Sequence, residues 1–225
     1  MDVSRSGDAD AAHVFDLPPQ AGFANGDAGY PLTSVTEGPT FPELIESLKK
    51  AAGALRESGI TFVLGGGIAS GARGGPESDH DVDLLLRPQD ADRALAVLDE
   101  AGFRPEKPPE GWLYKAWDGD VFVDLIFRTS EGDVREEVID RAAEMEVYAV
   151  PMLVLHPDDL IVSKLLALDE MVLDYKSILA VARALREQID WASVRERTSE
   201  SPFAKAFFTL VEELNVVSED ELAPR

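Results

Sequence analysis

The chain has 225 residues, 45% of them hydrophobic, which suits one sizeable core or a domain with a helical appendage. Its 43 acidic and 21 basic residues leave a formal charge of −22, so the average field repels nucleic acid and anionic lipid. The absence of cysteine excludes disulfides, thiolate metal sites and cysteine nucleophiles, and three histidines, His13, His80 and His156, leave little room for a zinc site.

Residues 1–38 are rich in Asp, Gly, Ala and Pro and hold no sustained period, which predicts a flexible N-terminal tail. They lack the basic and then apolar run of a secretion signal. No segment of the chain approaches the roughly 18 apolar residues of a membrane span, so the expectation is a cytoplasmic protein with no membrane partner. "TFPELIESLKKAAGALRESG" opens with a Thr40/Glu43 capping box, carries an apolar stripe at Phe41, Leu44, Ile45, Leu48 and Leu55, and ends at Gly59; it predicts a helix. "TFVL" (61–64) and "DVDLLLR" (81–87) read as strands flanking a glycine loop, and Pro88 and Gly102 bracket a further helix. "WLYKAW" and "DVFVDLIF" read as a hairpin joined at "DGD". Residues 131–146 are ambiguous, and "VYAVPMLVLH" reads as one last strand interrupted at Pro151. From Pro157 onwards only helical periods remain, in "PDDLIVSKLLALDE", "MVLDYKSILAVARALREQ", "DWASVRER" and "SPFAKAFFTLVEEL". The expected organisation is a tail (1–38), an α/β core (39–156), a C-terminal helical subdomain (157–217) and an acidic tail (218–225).

The stretch "LGGGIASGARGGPESDHDVDLLL" carries the chemistry. A phosphate loop of Walker type needs a Gly-Lys-Ser/Thr ending, and no lysine occurs between Lys50 and Lys107. A dinucleotide fingerprint is matched only in part by Gly65, Gly67 and Ser70. Asp79, Asp81 and Asp83 imitate a calcium loop, but its required sixth-position glycine is Leu84. In a strand, however, Asp81 and Asp83 point to one face about 6–7 Å apart along the backbone. Acids at the start of a strand also serve as ordinary surface groups. A second strand sharpens the choice: in "VFVDLIF", Val121, Val123, Leu125 and Phe127 share one face, and Asp124 shares the other with Phe122 and Ile126. A carboxylate amid apolar residues needs a cation or a donor. An Arg or Lys partner meets that need, and so does Mg²⁺ shared by three acids and phosphate oxygens.

These residues resemble the nucleotidyltransferase superfamily of DNA polymerase beta type, whose signature is a strand, a Gly-Gly or Gly-Ser turn, a helix, a strand with two alternating acids, and a third acid on a later strand. Gly66 and Gly67 supply the turn, Asp81 and Asp83 follow after thirteen intervening residues, and Asp124 is the third acid. The likeness is greatest to bacterial minimal and toxin-type or abortive-infection-type members, whose helical part opens with a segment comparable to "HPDDLIVSKLLAL". The resemblance implies an α+β fold: a small mixed sheet flanked by helices, with a C-terminal helical subdomain. It implies an NTP substrate with Mg²⁺ or Mn²⁺ held by Asp81, Asp83 and Asp124, Gly66 and Gly67 along the triphosphate, Lys164 on phosphate, and Asp124 helping to activate an acceptor hydroxyl. Independently, Lys164 lies on the apolar stripe Leu160, Ile161, Leu165 and Leu168, where a charge needs a target or must reach the surface.

Where many relatives carry Arg-x-Thr-x-Asp before the first acid, this chain has Glu77, Ser78 and Asp79, so Ser78 and Arg73 are the candidates to replace that nucleotide contact. Of a later Arg-x-x-Asp-x-x-Asp pattern only Asp174 is matched. The expected function is Mg²⁺-dependent transfer of a nucleoside monophosphate to a hydroxyl of tRNA or other RNA, of protein or of a small molecule. The acidic charge favours a small cationic, aminoglycoside-like acceptor over RNA. The alternative is a catalytically inactive regulatory or antitoxin-like module; an antitoxin-like protein is likewise a candidate partner.

Overall fold

The structure, a computed structural model, describes residues 38–76 and 81–223. The tail predicted over 1–38 therefore lies outside the described residues apart from Gly38. Helix α1 (Phe41–Glu57) starts where predicted: the Glu43 carboxylate accepts from the backbone N–H and the hydroxyl of Thr40, each at 2.8 Å. It ends at Gly59, whose N–H reaches Arg56 O while Ile60 N–H reaches Leu55 O, the pair of bonds that satisfies carbonyls left open at a helix end. Its buried stripe, Leu44, Leu48, Ala51, Ala52 and Leu55, packs on the sheet.

Strand β1 (Phe62–Leu64) runs into α2 (Gly66–Ala72), and β2 (Val82–Leu86) leads through a short 3-10 turn to α3 (Ala91–Glu100). Then come β3 (Arg104–Glu106), β4 (Leu113–Asp118) and β5 (Val121–Ile126). The predicted hairpin is present, with Asp118 paired to Val121 around a two-residue turn. Residues 128–141 form a two-stranded ribbon, β6 (Arg128–Thr129) and β7 (Gly132–Asp133), and α4 (Glu136–Arg141).

The last strand read from the sequence is in fact two, β8 (Ala143–Val147) and β9 (Val150–Val154). The break falls at Tyr148 and Ala149, both left-handed (φ 48° and 67°), and not at Pro151. Pro151 is tolerated inside β9 because β1 pairs only with Leu153 and Val154, so the proline stands beyond that ladder.

Among the described residues the main sheet has seven strands in the order β3-β4-β5-β2-β1-β9-β8, with β2–β5 and β1–β9 parallel and the remaining pairs antiparallel. It is a mixed sheet flanked by helices, as expected. Val82, Leu84, Val123 and Leu125 are fully buried on the face covered by α1 and α3.

Helices α5 (Pro157–Leu166), α6 (Tyr175–Leu185), α7 (Trp191–Arg197) and α8 (Pro202–Glu213) follow. Helix α6 starts later than predicted: Met171, Val172 and Leu173 are exposed, and Asp174 caps the helix by accepting from Ser177 N–H at 3.1 Å. Residues 219–222 form a further turn of helix, α9 (Glu219–Leu222), with Leu222 buried and Glu221 paired to Arg186 at 3.0 Å. Among the described residues no helix is long and apolar enough to cross a membrane.

Two acids at the start of α5 anchor it. Asp158 accepts from Asp190 N–H at 2.9 Å, and Asp159, with 6% of its side chain exposed, accepts from Arg141 at 2.8 Å and Arg197 at 2.6 Å. Arg197 also holds Glu131. Asp159→Asn leaves two guanidiniums without their shared buried carboxylate and is expected to lower stability by about 2–3 kcal/mol in urea unfolding.

Candidate active site

Asp83 on β2 and Asp124 on β5 are direct partners in the parallel ladder, so their side chains leave the same face of the sheet side by side. Asp81, two residues before Asp83, shares that face. One carboxylate oxygen from each of the three lies within 4.8 Å of the others. Asp124 is buried, and Asp81 and Asp83 are half-buried. Burial, reinforced by the charges of Asp81 and Asp124, pushes the Asp83 carboxyl up to about 8, against the opposing pull of Lys164 and Lys115. Burial also raises Asp124, with the hydrogen bond from Lys115 acting the other way.

The β1–α2 turn crosses directly over these acids. Gly65 N–H donates to Asp83 O at 2.9 Å, and Gly66 adopts φ +57°. A Cβ on Gly66 would stand 1.8 Å from Asp83 Oδ2, so no other residue passes here without moving the carboxylate. Gly67 is the second residue of α2.

Lys164 lies on the half-buried side of α5 and acts electrostatically on Asp83; among the described residues it has no salt-bridge partner within 4 Å. Ser78, together with Glu77, Asp79 and His80, lies outside the described residues. Arg73, the other candidate for the missing nucleotide contact, is engaged elsewhere: its Nε donates to Leu155 O at 2.6 Å and its terminal nitrogen to Val154 O at 2.9 Å. Asp174 serves as the cap of α6.

One neighbour was missed. Lys115 on β4 is paired with Asp124 in the hairpin, and its Nζ lies 2.8 Å from Asp124 Oδ1. The signal was in the sequence, since a two-residue turn at Gly119–Asp120 puts 115 opposite 124.

The cluster is one of three hard oxygen donors brought within 4.8 Å of one another, and this chemistry fits a divalent cation such as Mg²⁺ or Mn²⁺.

Comparison with known proteins agrees with this geometry. A family model described as "Uncharacterised nucleotidyltransferase" matches residues 43–214, and the chain belongs to that family. It is an enzyme of the nucleotidyltransferase type, the class that moves a nucleoside monophosphate. The crystal structure of ANT(2″)-Ia in complex with adenylyl-2″-tobramycin is similar in fold, with TM-score 0.56 and 18% identity over 72% of this chain and 98% of that one. An antigenic nucleotidyltransferase-like protein from Paracoccidioides brasiliensis aligns with TM-score 0.55 and 14% identity, over 84% of this chain and 96% of that one. No curated protein matches by sequence.

Two outcomes follow from the geometry. Asp83 keeps a proton that the unfolded chain releases above its ordinary value of 3.8, so between about 4 and about 8 the native state binds more protons and stability falls as pH rises. Melting in chelator should show this decline, and Asp83→Asn should make it shallower, leaving the smaller part that the raised Asp124 contributes. Gly66→Ala should lose about 2 kcal/mol in urea unfolding, from backbone strain alone.

Proposed function

We propose that the chain transfers a nucleoside monophosphate from an NTP to a hydroxyl of a small, positively charged acceptor. The observation that carries this is the convergence of Asp81, Asp83 and Asp124 beneath the glycine turn. Mg²⁺ or Mn²⁺ held by these three carboxylates supplies neutralisation of charge on the phosphates. Gly66 and Gly67 give the triphosphate access to bare backbone beside the acids, and Lys164 meets a phosphate oxygen from α5. Asp124 accepts the proton as the acceptor oxygen attacks the α-phosphorus, and the bond to pyrophosphate breaks. Ser78 remains the candidate for a further nucleotide contact.

Two observations favour a small cationic acceptor over RNA. A net charge of −22 repels a polyanion, and a protein of similar fold is known with adenylyl-2″-tobramycin.

The test uses α-labelled NTPs with Mn²⁺ and separates small basic metabolites, RNA and protein after incubation with cell extract. Label is expected in the small basic fraction, and aminoglycosides are the first defined acceptors to add. Partners outside the coordination shell of a metal are worth about 10–100-fold in activity, so Asp81→Asn, which removes a ligand itself, is expected to cut transfer by at least about 100-fold. Label in RNA or protein would replace the acceptor assignment. No transfer, together with no rise in melting temperature on adding any NTP and Mn²⁺, would overturn the whole reading.

A further inference from the structure

Lys115, on β4 between β3 and β5, is held on several sides. Its ammonium lies 2.8 Å from Asp124 Oδ1 and 4.2 Å from the centre of the Phe122 ring, and Phe122 shares the face of Asp124 two residues away on the same strand. Phe122 is itself backed by Trp117, ring centres 5.1 Å apart, and the Trp117 indole N–H is fixed to Glu106 at 2.7 Å. Only a quarter of the Lys115 side chain and 11% of that of Asp124 are exposed. Glu106, Lys115, Asp124 and Asp83 occupy one row across β3, β4, β5 and β2, each the ladder partner of the next. The aromatic seat and the cross-strand register together leave the ammonium one place to stand, so the rotamer freedom a free lysine would keep is already removed by the fold.

This has a consequence for Asp124. With Oδ1 engaged by Lys115, a cation that drew both oxygens of Asp124 would have to displace the ammonium. We propose that Lys115 is a positioning residue for the reaction: it fixes which oxygen Asp124 turns towards Asp81 and Asp83, and it competes with the divalent cation for that carboxylate. The inference rests on the nucleotidyltransferase reading of the site and on the placement of Lys115, Phe122 and Asp124. Its mark is a pair of effects of opposite sign. Without the ammonium, the cation should bind more tightly, because a like charge has been removed from its neighbourhood. Turnover should fall, because Asp124 is free to close on the cation or to rotate.

The experiment measures binding of Mn²⁺ alone, by electron paramagnetic resonance, and transfer from α-labelled NTP, in the wild type, Asp83→Asn, Lys115→Met, Lys115→Arg and Phe122→Leu. Lys115→Met is expected to bind Mn²⁺ about tenfold tighter and to transfer about 10–100-fold more slowly, with the KM for NTP little changed. Lys115→Arg, which keeps the charge and the donors, should recover most of both. If Lys115→Met binds Mn²⁺ as the wild type does or more weakly, or transfers at the wild-type rate, the role of Lys115 is refuted. Should Lys115→Met fail to fold by circular dichroism, Phe122→Leu decides, because it keeps both charged groups and removes only the seat. It is expected to shift both readouts in the same directions by about 2–3-fold, the scale of an exposed cation–ring contact, and unchanged readouts refute the role. The two levels of the argument separate cleanly. A wild type that binds no Mn²⁺ removes the metal site itself. Binding that is lost in Asp83→Asn but unaltered in the Lys115 variants removes only the positioning residue.

Discussion

Asp83 and Asp124 face each other across two parallel strands, with Asp81 beside them, and each carboxylate raises the energy of the others. Three acids within 4.8 Å of one another work against stability. The arrangement holds because the opposite face of the same strands is fully apolar. Val82 and Leu84 on β2, and Val123 and Leu125 on β5, have no exposed surface and are clamped by α1 and α3. A slip of one residue in either strand would turn these side chains to solvent and drive the acids into the core. The hydrophobic register is therefore what fixes the acids against their mutual repulsion.

The glycine turn follows from the same constraint. Because β1 pairs antiparallel with β2, with Leu64 opposite Leu84, the chain leaving β1 passes the level of Asp83. It must then enter α2 within van der Waals reach of that carboxylate. A left-handed glycine achieves both the change of direction and the close approach, and the Gly65 N–H bond to Asp83 O pins the turn to the strand beneath it.

Much of this was legible in the sequence for definite physical reasons. The caps and stripe of α1, the two-residue hairpin turn and the alternation of acids against aliphatics are local patterns, and each survived folding unchanged. What escaped was non-local or disguised. Lys115 matters only through the residue paired with it on the next strand. Strand β3 is three exposed residues at the sheet edge with a proline in the middle, a composition that blunts edges and hides strands. Tyr148 and Ala149 adopt left-handed geometry without the glycine or asparagine that advertises it. Met171, Val172 and Leu173 continue the apolar period of α6 yet lie outside the helix and exposed. Asp158 and Asp159 look like ordinary first-turn acids but hold α5 to the backbone of Asp190 and to two arginines.

The fate of Arg73 ties these parts together. The residues around it depart from the superfamily pattern, which made it a candidate to contact nucleotide. Its guanidinium instead closes on the carbonyls of Val154 and Leu155, at the junction where β9 ends and α5 is about to begin, and its own carbonyl accepts from Gln188 at 3.0 Å. Helix α2, which carries the glycine turn, is thereby bonded to the start of α5, the helix that carries Lys164. The acids and Lys115 are set by the sheet, and the start of α5 is held both by the pairing of β9 with β1, where Leu155 N–H donates to Leu64 O at 2.9 Å, and by these contacts of Arg73. Arg73 is thus one of the contacts that tie the helix after the glycine turn to the helix that carries Lys164.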